Sequence, residues 1–391
     1  MGDILSYIDE FGGFTFVEKP FCEVDGLILS HLSYYVYDNI VSGLEENKPA
    51  VAFRDMERLM DEKNFISVKW ELEKNKQLFA KIVEKRRYRN TKAAFYVCEM
   101  NRDETIQFSA ITFLLGNGDV FLSFRGTDDA MIGWKEDLYM AYHTPVGAQV
   151  RSVAYANQVA KLLAKKKNLR FIFGGHSKGG NLAVFAAMNC DEEIKRRISK
   201  IYNMDGPGFC PDFLEQYDYN GIKDKILKIV PDESFVGMLL ETKQDYTLIK
   251  STAIGMAQHI TLTWCVEGDQ FLRAQSCVPQ RKALYDRINQ WIFAMEKEQV
   301  AAFIESLFQL VELTEMNALS DIKTVWTDFP KKAHSIIVAY SKMNEETKQI
   351  FWETGVFMIE MAAADQQERI RKSKMAEKIR QRLEHSVKYK L

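Results

Sequence analysis

The chain has 391 residues, of which 47% are hydrophobic and 27% charged, a balance typical of globular proteins. Its formal net charge is −2, so no strong positive field draws it to nucleic acid. The six cysteines form no C-x-x-C pairs, which excludes a zinc site or disulfide framework of the usual spacing and favours a reducing compartment. Without a recognisable signal peptide or spanning segment, we expect a cytoplasmic protein.

The first ninety residues favour helices. Between Val24 and Val41 the apolar residues are spaced as on one helical face, and residues 55–88 are charged and helix-prone. We interpret residues 35–90 as a helical insertion in a larger domain that spans residues 1–295.

The hydrophobic period changes after residue 90. Residues 93–98, 106–115 and 120–124 have the composition of strands and are separated by polar turns. The second turn contains Asn117-Gly118, a strong hairpin signal because both residue types accept positive φ. An antiparallel opening to a sheet is therefore predicted.

Helices and strands alternate further along the chain. A helix is predicted over residues 147–165, and strands over residues 169–173, 201–204, 225–230 and 246–249. Such alternation favours right-handed βαβ units in a parallel sheet. Residues 296–391 are predicted to be a helical extension packed on this core.

The most informative motif is Gly175-His176-Ser177-Lys178-Gly179, a G-x-S-x-G sequence between an apolar strand and a small-residue helix. A serine on so sharp a turn needs glycines two positions before and after it, where no Cβ would fit. We therefore predict that Ser177 is a nucleophile.

A serine hydroxyl needs a base to take its proton. In folds with this elbow the chain order is serine, acid, histidine. Five histidines are unsuitable because they precede the serine, adjoin it, or lie in lysine-rich helical surroundings: His31, His143, His176, His334 and His385. His259, in a predicted loop after the strand 246–249, is the predicted base.

Two carboxylates compete for the role of the acid. Asp232 follows the strand that ends at Val230, and Asp205 ends the preceding strand. Either carboxylate would orient the imidazole and stabilise its charged form. Sequence spacing leaves both open.

The oxyanion of an acyl-transfer intermediate needs hydrogen-bond donors. One is the backbone N–H of Lys178, directly after the nucleophile. Thr127, in a turn-rich loop after the strand 120–124, is the predicted second donor through its N–H, with its hydroxyl as a further contact. Arg125 and Asp128 are interpreted as a structural ion pair that shapes this loop. Trp134 and Asp137, on the predicted helix that follows, are interpreted as packing and capping residues.

These motifs resemble the class 3 lipase group of α/β-hydrolases, and more closely an uncharacterised bacterial branch of that superfamily. The resemblance is carried by Phe124-Arg125-Gly126-Thr127-Asp128 with Trp134 and Asp137, and by the nine residues from Gly175. Residues 20–34, 205–209 and 234–264 fit the bacterial branch. The resemblance implies an α/β-hydrolase fold: a mostly parallel central sheet with antiparallel N-terminal strands, helices on both faces and a helical C-terminal extension.

By the same resemblance Ser177 is the nucleophile, His259 the base and Thr127 the early oxyanion residue. Lys178 departs from the leucine common after a lipase serine. The bacterial branch tolerates residues other than aspartate at position 232, which favours Asp205.

The leading hypothesis is an intracellular serine hydrolase that cleaves a small-molecule or lipid carboxylic ester through an acyl-enzyme. The alternatives are a catalytically weak or inactive binding or regulatory protein on the same scaffold, and a thioesterase or amidase with the same triad. No cofactor, metal or nucleic-acid partner is expected, since the chain lacks a dinucleotide fingerprint, a phosphate loop and a metal-ligand cluster.

The end of the chain is basic. Residues 369–391 contain nine Lys or Arg and two Asp or Glu, a local charge of +7, with apolar residues every four positions at Ile379, Leu383 and Val387. A basic amphipathic helix of this kind can contact an anionic membrane or a protein partner. The competing interpretation is a solvated terminal helix.

Overall fold

A computed structural model describes residues 2–45, 48–61, 63–166, 168–241, 245–277 and 279–313, and also residues 341, 343, 345, 348, 349 and 352. The chain divides into two compact units, Met1–His334 and Ser335–Leu391. The sheet and its helices belong to the first unit, which also contains the start of the predicted extension 296–391. The basic segment 369–391 lies outside the described residues.

An eight-stranded sheet runs through this unit, with its strands side by side in sequence order. The first four strands pair antiparallel, and they are β1 (Val51–Ala52), β2 (Lys92–Asn101), β3 (Ile106–Leu114) and β4 (Asp119–Phe124). From β4 onward all pairs are parallel, through β5 (Arg170–His176), β6 (Ile198–Met204), β7 (Ile226–Pro231) and β8 (Tyr246–Ile249). A separate two-stranded ribbon consists of β9 (Val266–Glu267) and β10 (Gln270–Phe271).

Helices precede, connect and follow the strands. Before β4 they are α1 (Ile4–Phe11), α2 (Glu23–Leu32) and α3 (Leu72–Glu84). Between β4 and β7 they are α4 (Met131–Tyr139), α5 (Gly147–Leu162), α6 (Lys178–Asn189), α7 (Glu192–Arg197) and α8 (Pro211–Gln216). After the ribbon they are α9 (Pro279–Ala294) and α10 (Lys297–Leu313). The short 3-10 helices are Phe53–Asp55, Glu57–Asp61, Lys223–Lys225, Val236–Met238, Gly255–His259 and Thr261–Thr263.

The sheet has a hydrophobic core on each face. Successive side chains of a strand point to opposite faces, so Phe121 of β4 and Ile172 of β5 belong to the core beneath α1, α2 and α3. Their neighbours Leu122 and Phe173 belong to the core beneath α5 and α6. Burial on both faces explains why these central strands are almost continuously apolar.

This topology confirms the predicted α/β-hydrolase fold, since an antiparallel opening leads into a parallel sheet and the G-x-S-x-G motif joins β5 to α6. Two local predictions differ in detail. Within residues 35–90 the described part has one α-helix, α3, and residues 51–52 pair with β2 at the sheet edge. In the turn between β3 and β4, positive φ falls on Gly116 and Gly118, and Asn117 does not share it.

Candidate active site

Ser177 occupies the sharp turn between β5 and α6, with φ 59° and ψ −135°. A non-glycine residue with positive φ is strained, and such strain is concentrated at functional sites. A Cβ at Gly175 would lie 2.2 Å from the carbonyl carbon of Gly179, and one at Gly179 would lie 2.0 Å from the carbonyl oxygen of Phe124. The prediction that both glycines are required by close backbone approach is confirmed.

His259 ends the 3-10 helix that follows β8, and its Nδ1 lies 2.6 Å from Oδ2 of Asp205. Asp205 follows the last residue of β6, is fully buried and has φ 54°. The same Oδ2 accepts a hydrogen bond of 2.5 Å from the Ser234 hydroxyl. An ionised carboxylate only accepts hydrogen bonds, so Nδ1 of His259 carries the proton and Nε2 is left as the basic nitrogen.

Asp232, the other carboxylate considered for the acid, is not brought to His259. Its Oδ2 forms an ion pair of 2.5 Å with Lys250, and its Oδ1 accepts from the Gln258 side chain at 3.4 Å. The inclusion of Asp232 in the site is therefore corrected. The physical reason is that the loop after β7 turns Asp232 toward Lys250, the residue that follows β8.

The backbone holds Ser177 beside the carboxylate. The Ser177 N–H donates to the carbonyl of Met204 at 3.0 Å, the residue before Asp205. A Cβ at Gly206 would lie 2.5 Å from the carbonyl oxygen of Ser177, so the two turns are in direct contact. No hydrogen bond joins Ser177 Oγ to His259 in the described part of the chain, and contacts of this kind often shorten only when substrate is bound.

His176 contacts both the backbone and the imidazole ring of His259, the predicted base. Its Nε2 lies 2.8 Å from the carbonyl oxygen of His259, its Nδ1 lies 3.0 Å from the Tyr34 hydroxyl, and the two imidazole rings have centroids 4.4 Å apart. A carbonyl only accepts, so Nε2 carries the proton and Nδ1 accepts from Tyr34. Burial, and then the charge of His259, lower the pKa of His176 well below its usual value, which keeps it neutral.

The expectation that His176 points away from the serine hydroxyl agrees with these contacts, but its role in holding the His259 loop was missed. A second histidine, His31 of α2, acts on the same loop. Its Nδ1 lies 2.8 Å from the Thr261 hydroxyl, and its Nε2 lies 2.6 Å from Oδ1 of Asn75. Burial lowers the pKa of His31 to about 4. The one sequence signal for this support was the resemblance over residues 20–34.

The loop that carries Thr127 packs on the serine turn. A Cβ at Gly126 would lie 3.0 Å from Cβ of Ser177. The Thr127 hydroxyl donates to Oδ2 of Asp137 at 2.5 Å. A hydroxyl has one proton, so this bond uses it and the backbone N–H is the donor that remains to Thr127. Lys178, whose N–H is the other predicted oxyanion donor, is the first residue of α6.

The side chain of Lys178 points into the protein interior. Its Nζ lies 3.0 Å from Oε2 of Glu136 and 3.4 Å from Oδ1 of Asp137. Burial disfavours the ammonium charge, but Asp137 and Glu136 outweigh this effect and raise the pKa of Lys178. Burial raises the pKa of Asp137, and Lys178 partly offsets that rise. The ion pair thereby connects the turn after the serine to α4, the helix after the loop that carries Thr127.

The structural roles predicted for the residues around Thr127 hold for some of these residues and not for others. Arg125 and Asp128 form the expected ion pair, at 3.2 Å. Trp134 is 36% exposed, more than a packing residue would be. Asp137 links Thr127 to Lys178, so its interpretation as a packing or capping residue was wrong.

Residues 82–309 match the family model described as Mbeg1-like, and this range includes Thr127, Ser177, Asp205 and His259. The chain belongs to the Mbeg1-like family. No curated protein matches this Mbeg1-like chain. Within the described residues, no helix of the Mbeg1-like protein has the length and apolarity to cross a membrane, and no three His, Cys, Asp or Glu side chains form a metal-binding group.

Solved structures similar to the Mbeg1-like protein include fungal lipases. One fungal lipase is 12% identical with a TM-score of 0.41, over 74% of this chain and 96% of the other. A mutant form of MDLA from Penicillium cyclopium is 11% identical with a TM-score of 0.38, over 71% and 90%. The Rhizomucor miehei lipase in its propeptide complex is 15% identical with a TM-score of 0.33, over 45% and 66%. Values this low assign no activity to the Mbeg1-like protein.

Proposed function

We propose that this protein is a serine hydrolase that cleaves carboxylic esters, with Ser177 as nucleophile, His259 as base and Asp205 as acid. The observation that carries the proposal is the 2.6 Å contact between His259 Nδ1 and Asp205 Oδ2. It leaves Nε2 of His259 basic at the same end of the sheet as a serine on a strained elbow. The resemblance to class 3 lipases and the fold support the same assignment.

The proposed reaction has two stages. Nε2 of His259 takes the proton of Ser177 Oγ as that oxygen attacks the ester carbonyl carbon, and the N–H groups of Lys178 and Thr127 donate to the oxyanion of the tetrahedral intermediate. When the intermediate collapses, the bond to the alcohol oxygen breaks and His259 gives that oxygen its proton. Water then attacks the acyl-serine by the same route, which releases the carboxylic acid and restores Ser177.

Asp205 is well placed to stabilise the imidazolium that forms in each stage. It is fully buried, so its interaction with the imidazolium is screened less than one in bulk water. Its Oδ2 is held by the Ser234 hydroxyl as well as by His259, which restricts the orientation of the carboxylate. This arrangement holds the imidazole in the tautomer that general-base catalysis needs.

A fluorophosphonate probe tests the nucleophile, because it reacts with a serine whose hydroxyl is activated by a neighbouring base. We expect labelling of the wild-type protein at Ser177, located by mass spectrometry of the labelled peptide. Labelling that is absent from the folded protein, or located at another serine, contradicts the proposal.

The substrate class is tested with p-nitrophenyl esters of graded chain length, a matched thioester and a matched anilide. Preference for the oxygen ester supports the leading hypothesis, and preference for either other substrate supports the thioesterase or amidase alternative. The weak or inactive binding protein is distinguished by labelling without turnover on the whole panel.

The proposal also includes a bacterial origin and a cytoplasmic location for this protein. The six cysteines form no C-x-x-C pairs, a spacing that favours a reducing compartment and so supports a cytoplasmic location. The bacterial origin is supported by the resemblance over residues 20–34, 205–209 and 234–264. The membrane or partner contact proposed for residues 369–391 is tested by vesicle sedimentation with and without that segment, and equal sedimentation contradicts it.

A further inference from the structure

Lys228 is a buried lysine in the middle of β7. It pairs in register with Asn203 of β6 and Tyr246 of β8, and its exposure is 1%. Its Nζ has no hydrogen-bond partner among the described residues. An ammonium group buried without a partner destabilises a fold, so packing and stability do not explain why a lysine occupies this position.

The negative charge of Asp205 favours the ammonium form of Lys228 and opposes the lowering of its pKa by burial. Asp205 lies two residues beyond Asn203, just past the end of β6. Its Oδ2 takes the hydrogen bonds from His259 and Ser234, whereas its Oδ1 is buried with no hydrogen-bond partner in the described part of the chain. A buried cation on β7 is therefore in register with Asn203 of β6, and an unbonded carboxylate oxygen belongs to the residue just past the end of β6.

We infer that Lys228 is a positioning residue: by acting on Asp205, it weakens the binding of a proton by the His259 imidazole. The inference rests on the proposed function in treating His259 as the base. A cation near the carboxylate offsets its charge and weakens its attraction for an imidazolium. Removal of this cation should therefore strengthen the attraction between the Asp205 carboxylate and the imidazolium.

The charge state of Lys228 suits this role. Burial lowers its pKa to about 8, and the attraction of Asp205 opposes that change. The ammonium form therefore predominates below about pH 8, the range in which an imidazole titrates. Above that pH the cation is lost and its effect on Asp205 ends.

The other titratable groups around this pair do not duplicate the effect. His176 is buried and neutral against the ring of His259, and burial keeps Tyr246 uncharged by raising its pKa. Asp232 is paired with Lys250. Glu233, buried in the loop after β7, accepts from the Gly255 N–H.

The test compares Lys228→Met with Lys250→Met. Both variants lose one ammonium group, but the first loses it beside Asp205 and the second beside Asp232. The readout is the pH midpoint of the His259 imidazole, followed by NMR of ¹⁵N-histidine-labelled protein and assigned by the signal that His259→Gln removes.

We expect Lys228→Met to raise the midpoint by about 0.5 pH unit or more, because the Asp205 carboxylate then attracts the imidazolium without a neighbouring cation to offset its charge. Lys250→Met should leave it unchanged. Lys228→Gln, an uncharged variant of different shape, should reproduce the upward shift if charge is the cause. Equal midpoints in the wild type and both Lys228 variants overturn the inference, and so does a shift confined to Lys250→Met.

The NMR titration needs no enzymatic turnover. It can therefore contradict the coupling of Lys228 to His259 independently of the proposed hydrolase function. A wild-type protein that resists the fluorophosphonate probe but shows the expected shift contradicts the proposed function and leaves the coupling intact. A labelled wild type with no shift contradicts the coupling alone. In a labelled enzyme, the acid side of the pH profile of kcat/KM should move with the NMR midpoint.

Discussion

Asp205 and His259 are in hydrogen-bond contact at 2.6 Å although 54 residues separate them in the chain. Asp205 follows β6, and His259 lies beyond β8, two strands further along the parallel sheet. Carboxyl ends of parallel strands meet at one edge of a sheet, where α/β proteins build their sites.

Ser177→Ala should abolish fluorophosphonate labelling and lower kcat for p-nitrophenyl esters by about 10³-fold or more, because the acyl-enzyme cannot form. The measurement is steady-state hydrolysis at equal protein concentration. Ser199→Ala is the matched control, since the Ser199 hydroxyl bonds the Phe171 carbonyl at the far end of β6. A Ser177→Ala protein with undiminished hydrolysis contradicts the nucleophile.

Asp205→Asn should lower kcat by about 10⁴-fold, because an amide at this position stabilises the wrong tautomer of His259 and no longer balances the imidazolium. Asp232→Asn should change kcat less than about tenfold, since Asp232 bonds Lys250 and Gln258. The two variants are compared by kcat under identical conditions. The reverse order of effects contradicts the assignment of Asp205.

Thr127→Val should lower kcat by about tenfold or more with little change in KM. The variant retains the backbone N–H but loses the hydroxyl bond to Asp137 that orients it, and donors to an oxyanion act mainly in the transition state. Thr127→Ser keeps both groups and should retain most of the activity. Equal loss in the two variants indicates that the methyl group, and not the hydroxyl, matters.

Lys178→Met should lower the free energy of unfolding by about 3–5 kcal/mol, because it leaves the buried carboxylate of Glu136 without its cation. Lys178→Met combined with Glu136→Gln should recover part of this loss. Urea denaturation monitored by circular dichroism measures both. A double variant no more stable than Lys178→Met contradicts the ion pair as the cause.

Lys228→Met should raise the free energy of unfolding at pH 7, by up to about 3 kcal/mol if the whole pKa difference is realised. The folded-state pKa of Lys228 is lowered from 10.5 to about 8, so folding penalises the protonated form. That penalty is complete below about pH 8 and fades as pH rises toward 10.5. The gain in the variant should therefore shrink across this window, measured by denaturation at several pH values. A loss of stability at pH 7 contradicts the burial of an unpaired charge.

Local patterns were enough to predict several parts of the site. The period of the apolar residues located the strands around Ser177, and the glycines at 175 and 179 marked a turn that only close backbone approach requires. Chain order then singled out His259. These features are readable because each depends on a few consecutive residues or on the order of elements in one fold.

The spacing of residues along the chain did not decide between Asp205 and Asp232. Both lie at the end of a parallel strand, and only the paths of the loops after β7 and β8 turn one toward His259 and the other toward Lys250. The same holds for His176, whose contact with the carbonyl of His259 spans 83 residues. Contacts of this kind leave no local periodicity.

The sequence by itself determined the fold class, the elbow at Ser177 and the histidine that completes the predicted order, because backbone geometry and hydrophobic period are properties of short segments. Only the tertiary structure decided that the Lys178 side chain is buried against Glu136 and that the buried Lys228 lies in register with Asn203, two residues before Asp205. A side chain's charge is visible in the sequence, but its partner depends on which strands and loops become neighbours after folding.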